Sequence, residues 1–91
     1  MRTWEDYKKY ARGLNPIVKK NIEEMEILAE IVSKIIERRQ EIGMTQRELA
    51  TVCGLPHSSV ARIEACAVKP NVETLIKIMI PLGLTLKVVT I

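Results

Sequence analysis

The sequence predicts an all-α bundle built on two short crossed helices, with an N-terminal helical extension and a single C-terminal β-strand used for dimerisation. Three observations carry this. Residues 45–65 hold two short helix-forming segments joined at a glycine. Upstream, apolar residues from Val18 to Ile36 recur at alternating steps of four and three, the stripe of an amphipathic helix. Downstream, Leu84–Ile91 alternates around β-branched residues. The chain divides accordingly into an N-terminal extension (1–14), a helical domain (15–83) containing the helix pair, and a C-terminal strand (84–91).

The chain has 91 residues, enough for one domain with a modest core and few enough that a second subunit would add stability. Although 47% of residues are apolar, no apolar run approaches the roughly 18 needed for a membrane span. The N-terminus lacks an apolar core and a small-residue cleavage site, so a cytoplasmic protein is expected. Cys53 and Cys66, with one histidine, are too few ligands for an ordinary zinc site. They read as buried thiols, with a redox role as the alternative, and no metal or cofactor is expected. Paired carboxylates, a nucleophile–base set and a glycine-rich phosphate loop are all missing, so the chain does not read as an enzyme. Net charge is +3. Residues 1–43 carry nine basic and eight acidic groups, and residues 44–91 five and three, a mild basic excess in the second half that favours phosphates.

Thr3 and Asp6 suggest a capped helix from about Trp4 to Arg12, ended by Gly13. Trp4, Tyr7 and Tyr10 form a drifting aromatic stripe on it. The stripe either packs this helix onto the domain or is a docking patch for a partner protein.

Asn15 and Pro16 then open a long helix, a side-chain cap followed by proline at the first helical position. Val18, Ile22, Met25, Ala29, Val32 and Ile36 form one inward row and Leu28, Ile31, Ile35 and Ile42 a second, with Lys19, Lys20, Glu23, Glu24, Glu30 and Glu37 on the wet side. The double stripe favours a core helix, or a partly exposed partner-binding face, over a coiled coil. The first row continues to Arg39, a charge where burial is predicted, and so one that needs a partner.

Within the helix pair, Thr45 and Glu48 make a capping box and Met44 can staple onto Leu49. Gly54 supplies the positive φ of a sharp reversal. Pro56 admits a second helix, whose Val60 and Ile63 share an inward face. Ala50 is small where the second helix must cross, and His57, Ser58, Ser59 and Arg62 fall on or near the outer side.

The spacing Ala50-x3-Gly54-x5-Val60, flanked by Leu49 and Ile63, resembles the helix-turn-helix of the phage-repressor (Cro/CI, or Xre) family, in which the second helix enters the major groove of DNA. The resemblance implies a lambda-repressor-like helix-turn-helix bundle, with 15–83 as the DNA-binding domain. It also implies that Arg39 pairs with Glu64 in a buried, structural ion pair. Carried over by position, Gln46 is a phosphate clamp that braces the reader helix, and His57 and Ser58 read base edges. Ser59 touches a phosphate or a base, and Arg62 is suited to a bidentate contact with guanine. Thr45 and Lys69 are further phosphate contacts. Cys66 departs from the family, which usually has glycine at that left-handed helix end. The partner implied is double-stranded DNA, an inverted repeat bound by a homodimer, with repression by occupancy.

Asn71 caps a last helix with Val72, Leu75, Ile76, Met79 and Leu82 inward, and Pro81 bends or ends it. In the terminal strand Leu84, Leu86, Val88 and Val89 are the expected dimerisation residues. A lone strand leaves its ladder unsatisfied, and pairs either with its copy in a second subunit or with some other strand.

The whole layout resembles HigA-type antitoxins of bacterial toxin–antitoxin operons. The match covers Thr3–Tyr7, the long charged helix, the run Arg39–Ala50, Ser58–Glu64 and Pro81–Leu86. It implies a RelE/HigB-like ribonuclease toxin as a partner. A stand-alone repressor is the alternative, and an interaction adaptor without DNA binding a further one.

Overall fold

The computed structural model describes residues 16–90, with side chains from residue 21 onward. The elements are α1 (Pro16–Ile42), α2 (Gln46–Cys53), α3 (His57–Glu64), α4 (Val72–Met79) and a 3-10 turn at Ile80–Leu82. The helix expected over Trp4–Arg12, the Trp4, Tyr7 and Tyr10 stripe and the Asn15 cap lie outside the described residues. The chain divides into two compact units, 1–30 and 31–91. No described helix is long and apolar enough to cross a membrane.

In the first unit, Ile22 is buried and Leu28 half-buried, whereas Met25, Ile27 and Ala29 are exposed. In the second unit, Val32 and Ile35 of α1 are buried, Ile31, Ile36 and Arg39 half-buried, and Ile42 exposed. Met25, Ala29 and Ile42 therefore depart from the expected inward rows. An apolar stripe marks the face a helix can bury; what lies over that face decides which residues are covered.

The core of the second unit joins Val32 and Ile35 to Leu49 and Ala50 of α2, Val60 and Ile63 of α3, and Leu75, Ile78, Met79 and Leu82. In α4 the expected Leu75, Met79 and Leu82 are buried, but Val72 and Ile76 are exposed and Ile78 takes a core place. Two rows compete on this short helix, five of whose eight residues are apolar. Leu75, Ile78, Met79 and Leu82 follow the i, i+3, i+4, i+7 spacing of one face, and that face won. Asn71 caps the helix as expected, Oδ1 accepting from the Thr74 N–H at 2.8 Å.

The C-terminal strand is not formed. Among the described residues there are four α-helices and no strand, and residues 84–90 are irregular. Leu84 donates its N–H to the Met79 carbonyl at 2.9 Å, closing the 3-10 turn. Leu84 is half-buried, Leu86 and Val89 are exposed, and Val88 is fully exposed. Alternation specifies which side of a strand faces which way, but strand hydrogen bonds need a neighbouring edge, and no described segment offers one.

The ends of α2 and α3 show one terminator in two chemistries. At α2, Leu55 N–H donates to the Ala50 carbonyl (2.9 Å) and Gly54 N–H to the Thr51 carbonyl (3.2 Å), with Gly54 at φ 71°. At α3, Ala67 N–H donates to the Arg62 carbonyl (2.9 Å) and Cys66 N–H to the Ile63 carbonyl (3.0 Å), with Cys66 at φ 56°. Both are Schellman closures, which place one residue in the left-handed region. Glycine does this without steric penalty, whereas a Cβ crowds the following carbonyl. The expected departure at Cys66 is thus real in composition, yet the turn keeps its geometry. Cys66→Gly is expected to stabilise the fold by roughly 1 kcal/mol, raising the urea midpoint and the Tm. An unchanged or lower midpoint in chemical denaturation would show that the left-handed residue carries no strain.

Candidate nucleic-acid interface

The helix pair begins with the capping box read from the sequence. The Glu48 N–H donates to Thr45 Oγ1 at 3.0 Å, and the Thr45 N–H donates to Glu48 Oε1 at 3.0 Å. The backbone N–H of Thr45, then its hydroxyl, hold the Glu48 carboxyl below its ordinary value. A depressed folded-state pKa contributes stability that is fully present above the ordinary value of 4.5 and is lost as pH falls from there through the lower folded-state value. In Glu48→Ala the loss of stability on acidification below about that pH is expected to be shallower than in the parent, read as urea midpoint against pH.

From this start α2 carries Leu49 and Ala50 into the contact with α3, where Val60 and Ile63 are buried against them. Gly54 turns the chain, and Pro56 precedes α3 without any side-chain cap. Burial of Val60 and Ile63 fixes the rotation of α3. The opposite side then exposes His57, Ser58 and Arg62, with Ser59 half-buried. Ser59 and Arg62 also line an open cleft of about 230 Å³ with Leu55, Val68 and Pro70. Lys69 is exposed in the α3–α4 loop, and Arg47 on α2 is exposed as well. Burial pushes the Cys53 thiol at the end of α2 above its ordinary pKa.

Arg39 and Glu64 do meet. Arg39 Nε donates to Glu64 Oε2 at 2.7 Å and Nη2 to Oε1 at 2.9 Å, a bidentate fork whose side chains are 12% and 5% exposed. Arg39 Nη1 donates to the Met44 carbonyl at 2.8 Å, and Gln46 Nε2 donates to Glu64 Oε1 at 3.0 Å. One carboxylate thus fastens the end of α3 to α1 and to the first residue of α2. The hydrogen bonds to Glu64 raise the already high pKa of Arg39 against the opposing effect of burial, so the guanidinium stays charged.

Two contacts were not legible in the sequence. Arg39 also holds the α1–α2 turn through Met44, and Arg38 Nε donates to the Leu82 carbonyl at 2.9 Å, tying α1 to the 3-10 turn. No spacing marks a side chain that donates to a distant carbonyl.

Comparison with known proteins agrees with this geometry. The helix-turn-helix family model matches residues 35–89. The chain belongs to the helix-turn-helix family. An uncharacterised HTH-type transcriptional regulator of Haemophilus influenzae is 37% identical over 68 residues, 75% of this chain and 69% of that protein. The HTH-type transcriptional regulator PuuR of Escherichia coli, and that of Shigella flexneri, are 40% identical over 53 residues, which cover 58% of this chain and 29% of theirs. The chain therefore spans less than a third of the length of PuuR. No solved structure matches. This helix-turn-helix protein is a DNA-binding transcriptional regulator.

Removing one member of the buried pair leaves the other charge uncompensated. Arg39→Met is expected to cost about 3–5 kcal/mol, while Arg39→Met with Glu64→Leu costs less than the single change. Urea titrations of the parent, the single and the double variant measure both; a double variant weaker than Arg39→Met would refute this account of the pair.

Proposed function

We propose that this regulator is a repressor that reads an inverted-repeat operator with two copies of α3. The observation that carries the reading is the exposed ridge of His57, Ser58 and Arg62 on a helix whose other side is locked by Val60, Ile63 and Glu64. His57 and Ser58 read base edges near the start of α3, and Arg62 takes a guanine through its planar fork. Gln46, with one amide hydrogen committed to Glu64, offers the other to a backbone phosphate. Thr45 and Lys69 add phosphate contacts, and Ser59 meets a phosphate or a base. Two half-sites about one helical turn apart fit two copies related by a two-fold axis, and occupancy of a promoter blocks transcription.

Selection from a pool of randomised duplexes tests this. The full chain is expected to enrich an inverted repeat, and Arg62→Ala to lose about 1–3 kcal/mol of affinity for it, with preference relaxed at one position per half-site and circular dichroism unchanged. No enriched motif, or an Arg62→Ala protein that binds as the parent does, would overturn the assignment.

A second role has its own support. The family match begins at residue 35, beyond the first unit, whose part of α1 exposes Met25 and Ile27 among Glu23, Glu24, Glu26 and Glu30. Together with the resemblance to HigA-type antitoxins, this favours neutralisation of a RelE/HigB-like ribonuclease toxin, with the operon of both genes as the repressed target. Co-expression with a ribonuclease-like gene neighbouring its own is the test: relief of growth arrest supports the antitoxin role, and continued arrest favours the stand-alone repressor.

A further inference from the structure

We propose that the outward stripe of α4, Val72, Ile76 and Ile80, is the surface on which a second copy of this chain docks, antiparallel, about a two-fold axis near Ile76. The stripe is the row of α4 that the core did not take. Its members stand four residues apart on one face, with Ile80 still helical in φ and ψ at the end of α4, and are 62%, 43% and 67% exposed. Three large aliphatic side chains in one exposed row form a contiguous patch of the kind that marks an interface.

The flanks of the stripe select the occupant. On one side lie Glu73 and Lys77, 3.8 Å apart and both well exposed. On the other a cleft of about 170 Å³, lined by Met79, Leu84 and Leu86 together with Ile76 and Ile80, extends the apolar surface. A two-fold axis lying between two antiparallel helices sets each flank against the same flank of the copy, running in reverse. Centred near Ile76, it sets Val72 level with the partner's Ile80 and leaves Glu73 about 3 Å along the axis from the partner's Lys77, within reach of a lysine side chain. A parallel two-fold arrangement would instead set the charged flank of each copy over the apolar cleft of the other. The surface is therefore self-complementary in charge and apolar in its middle, as an isologous contact requires. The contact is between helix faces and involves no strand pairing.

This inference deepens the two-copy reading above and rests on it only for the number of copies. Sedimentation equilibrium of the full chain without DNA tests it. The parent is expected to be a dimer at micromolar concentration, and Ile76→Glu, which would bury two unpaired charges, to raise the dimer Kd about a hundredfold or more with unchanged helicity. Glu73→Lys is expected to weaken the dimer several-fold, as is Lys77→Glu, and an equimolar mixture of the two variants to recover the parent affinity as a mixed dimer, a rescue that requires contact between copies because each helix still carries its like-charged pair. A parent that is monomeric throughout, or a dimer indifferent to both Ile76→Glu and Glu73→Lys, would overturn the proposal. Should Ile76→Glu fail to fold, the exposed charge pair decides alone. Gel shift of the Ile76→Glu protein on a duplex carrying a single selected half-site separates the two readings, because loss of the dimer leaves half-site binding intact and failure of DNA reading does not.

Discussion

The fork between Arg39 and Glu64 is the constraint on which the rest of the second unit depends. The crossing of α2 and α3 is made by small apolar contacts around Leu49, Ala50, Val60 and Ile63, which are non-directional and fix a distance better than an orientation. A planar guanidinium with two hydrogen bonds to one carboxylate is directional. Because Arg39 also holds the Met44 carbonyl and Glu64 also receives Gln46, three helices and one turn converge on a single buried charge pair. Its desolvation makes it weak evidence for net stability; what it supplies is the angle at which the exposed side of α3 is presented.

The same economy governs where the helices stop. Each motif helix ends when one residue enters the left-handed region and two backbone N–H groups fold back onto the last turn. This geometry frees the chain to reverse direction within a few residues, which keeps α2 and α3 short and their crossing tight. Cys66 accepts the same conformation with a Cβ, so the hydrogen bonds and the packing of Ile63 outweigh a local strain of about 1 kcal/mol.

Outside the motif, α4 serves two surfaces. One row completes the core beneath α2, and the other stands in solvent beside the cleft closed by Leu84 and Leu86. Arg38, reaching across to the Leu82 carbonyl, holds the turn that separates this helix from the irregular tail. The exposed ridge of α3 and the outward apolar stripe of α4 thus lie on different elements of the same unit.

What the sequence alone determined was local. The Thr45–Glu48 box, the Gly54 reversal, the Asn71 cap and the inward Val60 and Ile63 follow from hydrogen bonds and spacings spanning a few residues, and each is present. The exposed ridge of α3 followed in turn, since fixing its buried side leaves the rest of the helix no other place to go. The Arg39–Glu64 pair was reachable only through family resemblance, because nothing in a spacing of 25 residues names a partner. Tertiary structure decided the rest: which of two apolar rows of α4 went inward, that Met25 and Ala29 stayed outside, and that the alternating tail formed no strand. The physical reason is common to all three. Periodicity states which side chains share a face, whereas burial and strand pairing depend on what other surface arrives to cover it, and that surface lies far away in the chain or in another molecule.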